Sequence, residues 1–338
     1  MDNRYIKQEM CSFIGEHGQK NISQKHVLIV GMGALGSANA EMLVRAGIGA
    51  LTIIDRDYVE WSNLHRQQLY SEADCEEVIP KAIAAKRRLT AINSKVKINE
   101  FVMDVDSINL PPLMDNVDVI IDASDNFDIR FVLNDLSQKY LIPFIFGSCV
   151  SSYGMTYTIL PGQTPCLHCL LKQIPMTGAT CDSIGVINPI VQMIATYQVT
   201  ECLKLLVEDY ESLRKTFLSI DLWKNQHYPF RVEKAKQDDC LSCGQNATYP
   251  YLQYDSQTKT SVLCGRNTVQ LSLPSSTNFS LDMLETKLKK FYSVKRNPFL
   301  MTCEFQSYRF VFFKDGRIFV HGINDIQKAK KLYYNLIG

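Results

Sequence analysis

Between Asp55 and Gln67 the chain concentrates more polar chemistry than a loop needs for solubility: Asp55-Arg56-Asp57-Tyr58-Val59-Glu60-Trp61-Ser62-Asn63-Leu64-His65-Arg66-Gln67. Arg66, and Lys81 further on, supply two cations. Asp55, Asp57 and Asp125 supply carboxylates, the last within Asp122-Ala123-Ser124-Asp125-Asn126. Two cations and a carboxylate able to hold Mg2+ suit a triphosphate whose α-phosphorus is attacked. Charge spreading over a transferring phosphate is stabilised by preorganised positive groups more than by a general base. Singly, Arg66 and Lys81 read equally well as solvated loop or helix charges. The set becomes a site when the fold gathers it at one sheet edge.

The elements that must do the gathering begin with Gly31-Met32-Gly33-Ala34-Leu35-Gly36. It follows an apolar run, His26–Val30, that reads as a buried parallel strand, and it opens a helix through Ser37–Arg45. A second apolar run, Ala50–Ile54, ends in Asp55. This is a βαβ unit with a G-x-G-x-x-G turn and an acid about 20 residues later. Its glycines let backbone N–H groups and a helix N-terminus approach a phosphate, while the acid can hold a ribose hydroxyl. Alone, the turn points to a nucleotide and favours a dinucleotide, but the polar string after Asp55 is not what a dehydrogenase needs.

Farther along, a helix is expected from Pro80-Lys81 through Leu89, since Pro suits a first helical turn. Strands follow at Val96–Val102 and Val117–Ala123, a helix over Phe127–Tyr140, strands over Pro143–Gly147 and Tyr153–Leu160, and a helix within Gly185–Leu206. Strands separated by helices predict an α/β fold: a Rossmann-like open sheet, parallel or mixed, with ligands at the strands' carboxyl ends. A polar, cysteine-containing stretch near Gln237–Thr248 marks a boundary, giving an ATP-binding domain over residues 1–248. Residues 249–338 read as a small α+β module of βαββα order. Its elements are a strand over Thr268–Leu273, a helix over Leu281–Tyr292, a hairpin of Leu300–Phe313 with Arg317–His321 about Asp315-Gly316, and a last helix capped by Asp325.

Composition narrows the class. The 338 residues are 46% hydrophobic, enough for a sizeable core. A net charge of +1 provides no global field for nucleic acid or an anionic membrane. No apolar run approaches the ~20 residues of a membrane span, and the N-terminus has no signal-peptide hydrophobic region. The expectation is reducing cytosol, where the 11 cysteines read as core thiols, metal ligands or nucleophiles rather than disulfides. Cys166-Leu167-His168-Cys169 and Cys240-Leu241-Ser242-Cys243 form two C-x-x-C pairs. Four thiolates make a closed Zn2+ site, although about 70 intervening residues are too many for a zinc ribbon, and a redox pair is the rival reading.

The Gly31–Gly36 turn, Asp55-x-Asp57 with Ser62-Asn63-Leu64-x-Arg66-Gln67, Pro80-Lys81 and Ser124-Asp125-Asn126 together resemble the ThiF/MoeB group, which is similar to the ubiquitin-activating enzymes. The resemblance covers about residues 3–247. It implies ATP-dependent adenylation of the C-terminal glycine of a small ubiquitin-like sulfur-carrier protein ending in Gly-Gly, for molybdopterin or thiamine-thiazole synthesis. Asp55 would then hold the ribose, with Asp57, Ser62, Gln67 and Asn126 beside it on the nucleotide. Asn63, Arg66 and Lys81 would contact phosphates, and Asp125 would bind Mg2+ or position the α-phosphate. Zn2+ would occupy Cys166, Cys169, Cys240 and Cys243 in a structural site.

Two positions depart from the group. Ala34 stands where the group has a glycine. Arg4-Tyr5-Ile6-Lys7-Gln8 resembles a segment whose second Arg reaches the ATP site of the other subunit of a homodimer, and here that residue is Lys7. Lysine can neutralise a phosphate but lacks the bidentate fork. Cys181 sits before a glycine-marked helix start, where a cysteine in members of the group is a candidate for a thioester or acyl-disulfide with the carrier, the other reading being an incidental loop thiol. The tail has no rhodanese-type loop, so sulfur would come from another protein, such as a cysteine desulfurase. Competing readings are a tRNA-modifying ATP-dependent dehydratase of the same superfamily and an NAD-dependent oxidoreductase.

Overall fold

A computed structural model describes residues 3–171, 184–253, 261–263, 267–272 and 280–337. The chain divides into two compact units, one of residues 1–76 with 80–254, the other of residues 77–79 with 255–338.

In the first unit the order is α1 (Ile6–Glu9), α2 (Gly15–Ile22), β1 (His26–Val30), α3 (Ala34–Ala46), β2 (Ala50–Asp55), α4 (Glu72–Glu76), α5 (Lys81–Ile92), β3 (Lys97–Val102), β4 (Val119–Asp122), α6 (Phe127–Tyr140), β5 (Phe144–Val150), β6 (Tyr153–Ile159), α7 (Leu167–Leu171), α8 (Asn188–Leu206), β7 (Thr216–Asp221) and β8 (Gln226–Arg231). The strands form one sheet in the order β3-β2-β1-β4-β5-β6-β7-β8. The β3-β2-β1-β4-β5 half is parallel, and β5 through β8 pair antiparallel. β1, β2 and β4 are almost entirely buried, as parallel strands covered on both faces must be.

A wholly parallel sheet would have needed crossover helices after β5, and the chain instead turns back at Ser151-Ser152. β7 and β8 carried no clear signal in sequence. β8 is exposed at every residue and contains Pro229, which fits an edge strand whose N–H side faces solvent. Leu35 and Ala38 of α3 pack with Ile190, Val191 and Ile194 of α8 and Leu218 and Ile220 of β7, fixing α3 behind the glycine turn.

The second unit comprises β9 (Ser261–Leu263), β10 (Thr268–Ser272), α9 (Leu281–Leu288), β11 (Val294–Arg296), β12 (Leu300–Phe305), β13 (Tyr308–Phe313), β14 (Arg317–His321) and α10 (Ile326–Ile337). Its sheet runs β11-β12-β13-β14-β10-β9, richer than a βαββα module. The expected arm Leu300–Phe313 is two strands, broken at Gln306, whose φ of 57° starts a turn. The Asp315-Gly316 turn joins β13 to β14, and Asp325 Oδ1 accepts from the Gln327 and Lys328 amides at 2.8 and 3.0 Å. Met301, Phe310, Phe312, Ile318 and Val320 pack against Ala329, Leu332 and Leu336 of α10. Among the described residues, no helix is long and apolar enough to cross a membrane.

Candidate functional site

The parallel half of the sheet brings three loops to the carboxyl ends of adjacent strands β2, β1 and β4. Gly31, after β1, has φ +93°, and its amide donates to the Ile54 carbonyl at 2.8 Å. A Cβ on Gly31 would sit 2.4 Å from the Ala123 oxygen, and one on Gly36 would sit 1.9 Å from the Gly31 oxygen. The turn is therefore packed backbone on backbone, which glycine alone permits. Ala34 raises no such conflict. It is the first residue of α3, behind a Gly33 cap of φ −76°, so its methyl sits on right-handed helical backbone. α3 has Gly33 as its N-cap, which offers no side chain to cap it. Its first-turn amides face the region where an anion gains from both the donors and the helix dipole.

Asp55, at the end of β2, is fixed by two backbone donors: Met32 N to Oδ2 at 2.6 Å and Asp57 N to Oδ1 at 2.7 Å. Tyr70 donates to the Met32 carbonyl at 2.5 Å, locking the turn from the other side. Burial pushes the Asp55 carboxyl up; the nearby Lys81 cation opposes this and Asp57 adds to it. Burial also raises the Tyr70 phenol.

Lys81 opens α5 and is 2% exposed. Its Nζ lies 3.2 Å from Asp57 Oδ2, and its amide donates to the Asp57 carbonyl at 2.9 Å. A buried ammonium survives in a fold when paired in this way. The structure thus joins Asp55, Asp57 and Lys81 into one cluster beside Met32. Asn63 is buried and accepts from the Glu60 amide at 3.1 Å, closing a reciprocal cap on the short helix Trp61–Asn63. Ser62 is exposed on that helix, and its carbonyl accepts from Arg66 Nη1 at 2.7 Å. Gln67 is buried against Gly33, and its Oε1 has no hydrogen-bond partner among the described residues, an acceptor a bound ligand would satisfy.

Sequence reasoning missed the brace under the third loop. Asp122 ends β4 and is fully buried, with Arg130 Nε 3.1 Å from its Oδ2. Ser124 Oγ donates to Asp122 Oδ1 at 2.7 Å, and Arg130 Nη2 donates to the Ser124 carbonyl at 2.7 Å. The guanidinium lies over the Phe127 and Phe146 rings, 5.1 and 5.3 Å from their centroids. Asn126 caps α6 by accepting from the Asp128 amide at 2.8 Å, leaving Asp125 exposed at the loop tip. The one signal for Arg130 was a charge inside the apolar run of a helix.

The N-terminal segment docks on the far ends of α3 and α5. Arg4 Nη1 donates to the Ile92 carbonyl at 2.9 Å, Tyr5 accepts from Asn93 Nδ2 at 2.8 Å, and Gln8 donates to the Ala46 carbonyl at 3.1 Å. Lys7 is left exposed, its Nζ 3.9 Å from Met10 Sδ, and among the described residues no ion pair joins it to the site carboxylates. Cys181 lies outside the described residues.

The four cysteines of the two C-x-x-C pairs converge. Their sulfurs all lie within 4.8 Å of one another, with Cys166–Cys169 at 3.9 Å, Cys166–Cys240 at 3.7 Å and Cys169–Cys243 at 3.6 Å. Tetrahedral thiolates about 2.3 Å from a zinc ion have edges of about 3.8 Å, so the spacing fits such a metal. The Gly244 amide donates to the Cys240 carbonyl at 2.7 Å, closing the second knuckle. Hydrogen bonds from Cys166 and then Cys243 pull the Cys169 thiol down, while the thiols of Cys166 and Cys243 are raised, so these three share a single thiolate before any metal enters.

Fold and site together define a nucleotide-binding α/β protein with a four-cysteine cluster that can hold a metal ion. The profile of the ThiF family matches residues 5–242, and the chain belongs to that family. Over 340 aligned residues, covering 100% of both chains, it is 48% identical to the "Sulfur carrier protein ThiS adenylyltransferase" of Bacillus subtilis (strain 168). It is 31% identical over 253 residues to the "Sulfur carrier protein adenylyltransferase" of Thermus thermophilus, covering 73% of this chain and 92% of that one. Among solved structures, E. coli MccB with ATP superposes with a TM-score of 0.62 at 22% identity, covering 72% of this chain and 75% of that one, a likeness of fold.

Proposed function

We propose that this protein adenylates the C-terminal glycine of a small ubiquitin-like sulfur-carrier protein of the ThiS type, using ATP, for thiazole formation in thiamine synthesis. The observation that carries this is the end-to-end similarity to a ThiS adenylyltransferase. It includes the segment beyond residue 248 and favours the thiamine pathway over molybdopterin. The two competing readings, a tRNA dehydratase and an NAD-dependent oxidoreductase, have no comparable support.

In this reading the carrier's terminal carboxylate attacks the α-phosphorus of ATP. The α–β phosphoanhydride breaks, and pyrophosphate leaves with the electron pair. Asp55 holds the ribose; its two backbone donors fix the carboxylate and leave lone pairs for hydroxyls. Lys81, now held by Asp57, shifts its Nζ toward the phosphates, and Asn63 and Arg66 flank it. Gln67 offers its orphaned oxygen to the nucleotide. Asp125 is one exposed carboxylate at a strand end, the donor set Mg2+ uses when substrate phosphates supply its other ligands. Bound Mg2+ would neutralise charge on the polyphosphate.

Zn2+ at Cys166, Cys169, Cys240 and Cys243 is structural in this account, since four thiolates leave no open position. Lys7 serves the site of a second subunit. Its exposure, together with that of Ile6, Met10 and Phe13 (48, 70 and 70%), supports a homodimer formed through this face. After adenylation the Cys181 thiolate displaces AMP from the carrier's acyl-adenylate to give a thioester or, when it carries a persulfide sulfur delivered by a cysteine desulfurase, displaces AMP to give an acyl-disulfide; the reaction runs in the cytoplasm. ATP–pyrophosphate exchange with purified carriers tests the reading: exchange is expected with a ThiS-type carrier, and none with any Gly-Gly carrier would overturn it.

A further inference from the structure

The four thiols reach their cluster from two segments 74 residues apart, and one helix meets both. Asn134 and Asp135 are consecutive on α6 and completely buried. Asn134 Oδ1 accepts from the Leu167 amide at 2.8 Å, inside the first C-x-x-C. Asp135 accepts from the Ser242 hydroxyl, inside the second, and its Oδ2 accepts from the Tyr251 amide at 2.9 Å. Asn134 Nδ2 also donates to Asp135 Oδ1 at 3.3 Å, so the two holds are joined. Ser242 is itself fully buried, 3.4 Å from Nδ1 of His168 in the opposite knuckle. Phe131, one turn earlier on α6, stacks on Tyr251 with centroids 4.5 Å apart.

A buried amide and a buried carboxylate are costly to keep without partners, and here nearly every partner belongs to a knuckle or its flank. α6 needs neither residue for its own backbone. We infer that Asn134 and Asp135 are positioning residues for the metal: they clasp the two knuckles in register and set how firmly a Zn2+-type cation is retained. Groups that orient ligands in this way commonly govern metal affinity as strongly as a ligand does. The same helix carries Asn126 and Arg130 at its nucleotide-facing end, so the clasp also anchors the metal cluster to the element that bears the Asp125 loop. The inference rests on the proposed metal occupancy of the four cysteines.

The test compares metal release from the full-length protein to a chromogenic chelator in wild type, Asn134→Ala, Asp135→Ala and Ser242→Ala. Metal content is measured first, and unfolding is followed in parallel by tryptophan fluorescence. Wild type is expected to carry about one zinc per chain. The two α6 variants are expected to release it about 10- to 100-fold faster, before they unfold. Ser242→Ala deletes one hydroxyl and keeps the Leu167 and Tyr251 holds, so it is expected to fall between, and it reports on the clasp should Asp135→Ala fail to fold. Metal-free wild type would overturn the metal reading itself. Metal-loaded variants that release at the wild-type rate, or release solely as they unfold, would overturn the clasp alone.

Discussion

Replacing Lys81 by methionine separates the two jobs this residue does. It is 2% exposed and its ammonium is 3.2 Å from Asp57 Oδ2, with Asp55 two residues from Asp57. Deleting the cation takes the closer of two cations from the buried Asp57 carboxylate, leaving Arg56 Nε 4.0 Å from Oδ1 and another carboxylate, Asp55, beside it. Breaking a buried pair from one side costs about 3–5 kcal/mol. At roughly 2–4 °C per kcal/mol for a unit of this size, the melting temperature should drop by roughly 6–20 °C. Loss of one preorganised charge at the transferring phosphate should independently lower exchange about 10²- to 10³-fold. The two effects part in Asp57→Asn/Lys81→Met, where the neutral pair should recover much of the stability and none of the exchange. Calorimetry and ATP–pyrophosphate exchange on the three proteins decide it. Lys81→Met melting at the wild-type temperature would overturn the structural role of the pair, and the double variant regaining exchange would overturn the role of Lys81 at the phosphate.

Gly36→Ala places a methyl 1.9 Å from a backbone oxygen and should abolish nucleotide binding by calorimetric titration, whereas Ala34→Gly should bind normally and cost about 0.5–1 kcal/mol as a helix glycine. Cys181→Ala should leave ATP–pyrophosphate exchange intact even where sulfur transfer fails; loss of exchange with the fold preserved would reverse the proposed order of steps. Burial pushes the Tyr157 phenol up to about 12 from an ordinary 10. Below pH 10 both states keep the proton; between about 10 and 12 the unfolded chain releases it first, so stability falls by up to about 1.4 kcal/mol per pH unit. Urea titrations at pH 9 and 11 should show a smaller fall in Tyr157→Phe than in wild type.

The parts of this protein legible in sequence are those where one residue type has one physical use. Gly31 and Gly36 announce a backbone crossing because no other residue fits, and Val117–Ala123 reads as a central strand because its apolar run is nearly continuous, as a helix-covered strand requires. Arg66 and Lys81, proposed as the phosphate cations, stood out in sequence as a local density of charge; their bonds to the Ser62 carbonyl and to Asp57 did not. What stayed hidden depends on partners distant in the chain. Arg130 means nothing until β4 sets Asp122 beside it, and Asn134-Asp135 looks like a solvated helix step until the two knuckles close on it. β8 gave no signal because an edge strand need bury little of itself. The break at Gln306 was missed because the apolar alternation continues through a turn that polar residues alone mark. Ala34, which departs from the group's glycine, sits on ordinary helical backbone, a fact of φ and not of composition.

In the proposed reaction this site joins AMP to a carrier's terminal carboxylate. Intact-mass measurement of a ThiS-type carrier incubated with the protein, ATP and Mg2+ tests it most directly. A carrier heavier by one adenylyl group is expected, absent when the Gly-Gly tail is removed and formed about 10²- to 10³-fold more slowly with Arg66→Ala or Lys81→Met. An unmodified carrier under conditions where the protein binds ATP, or AMP on a carrier lacking its terminal glycines, would contradict it.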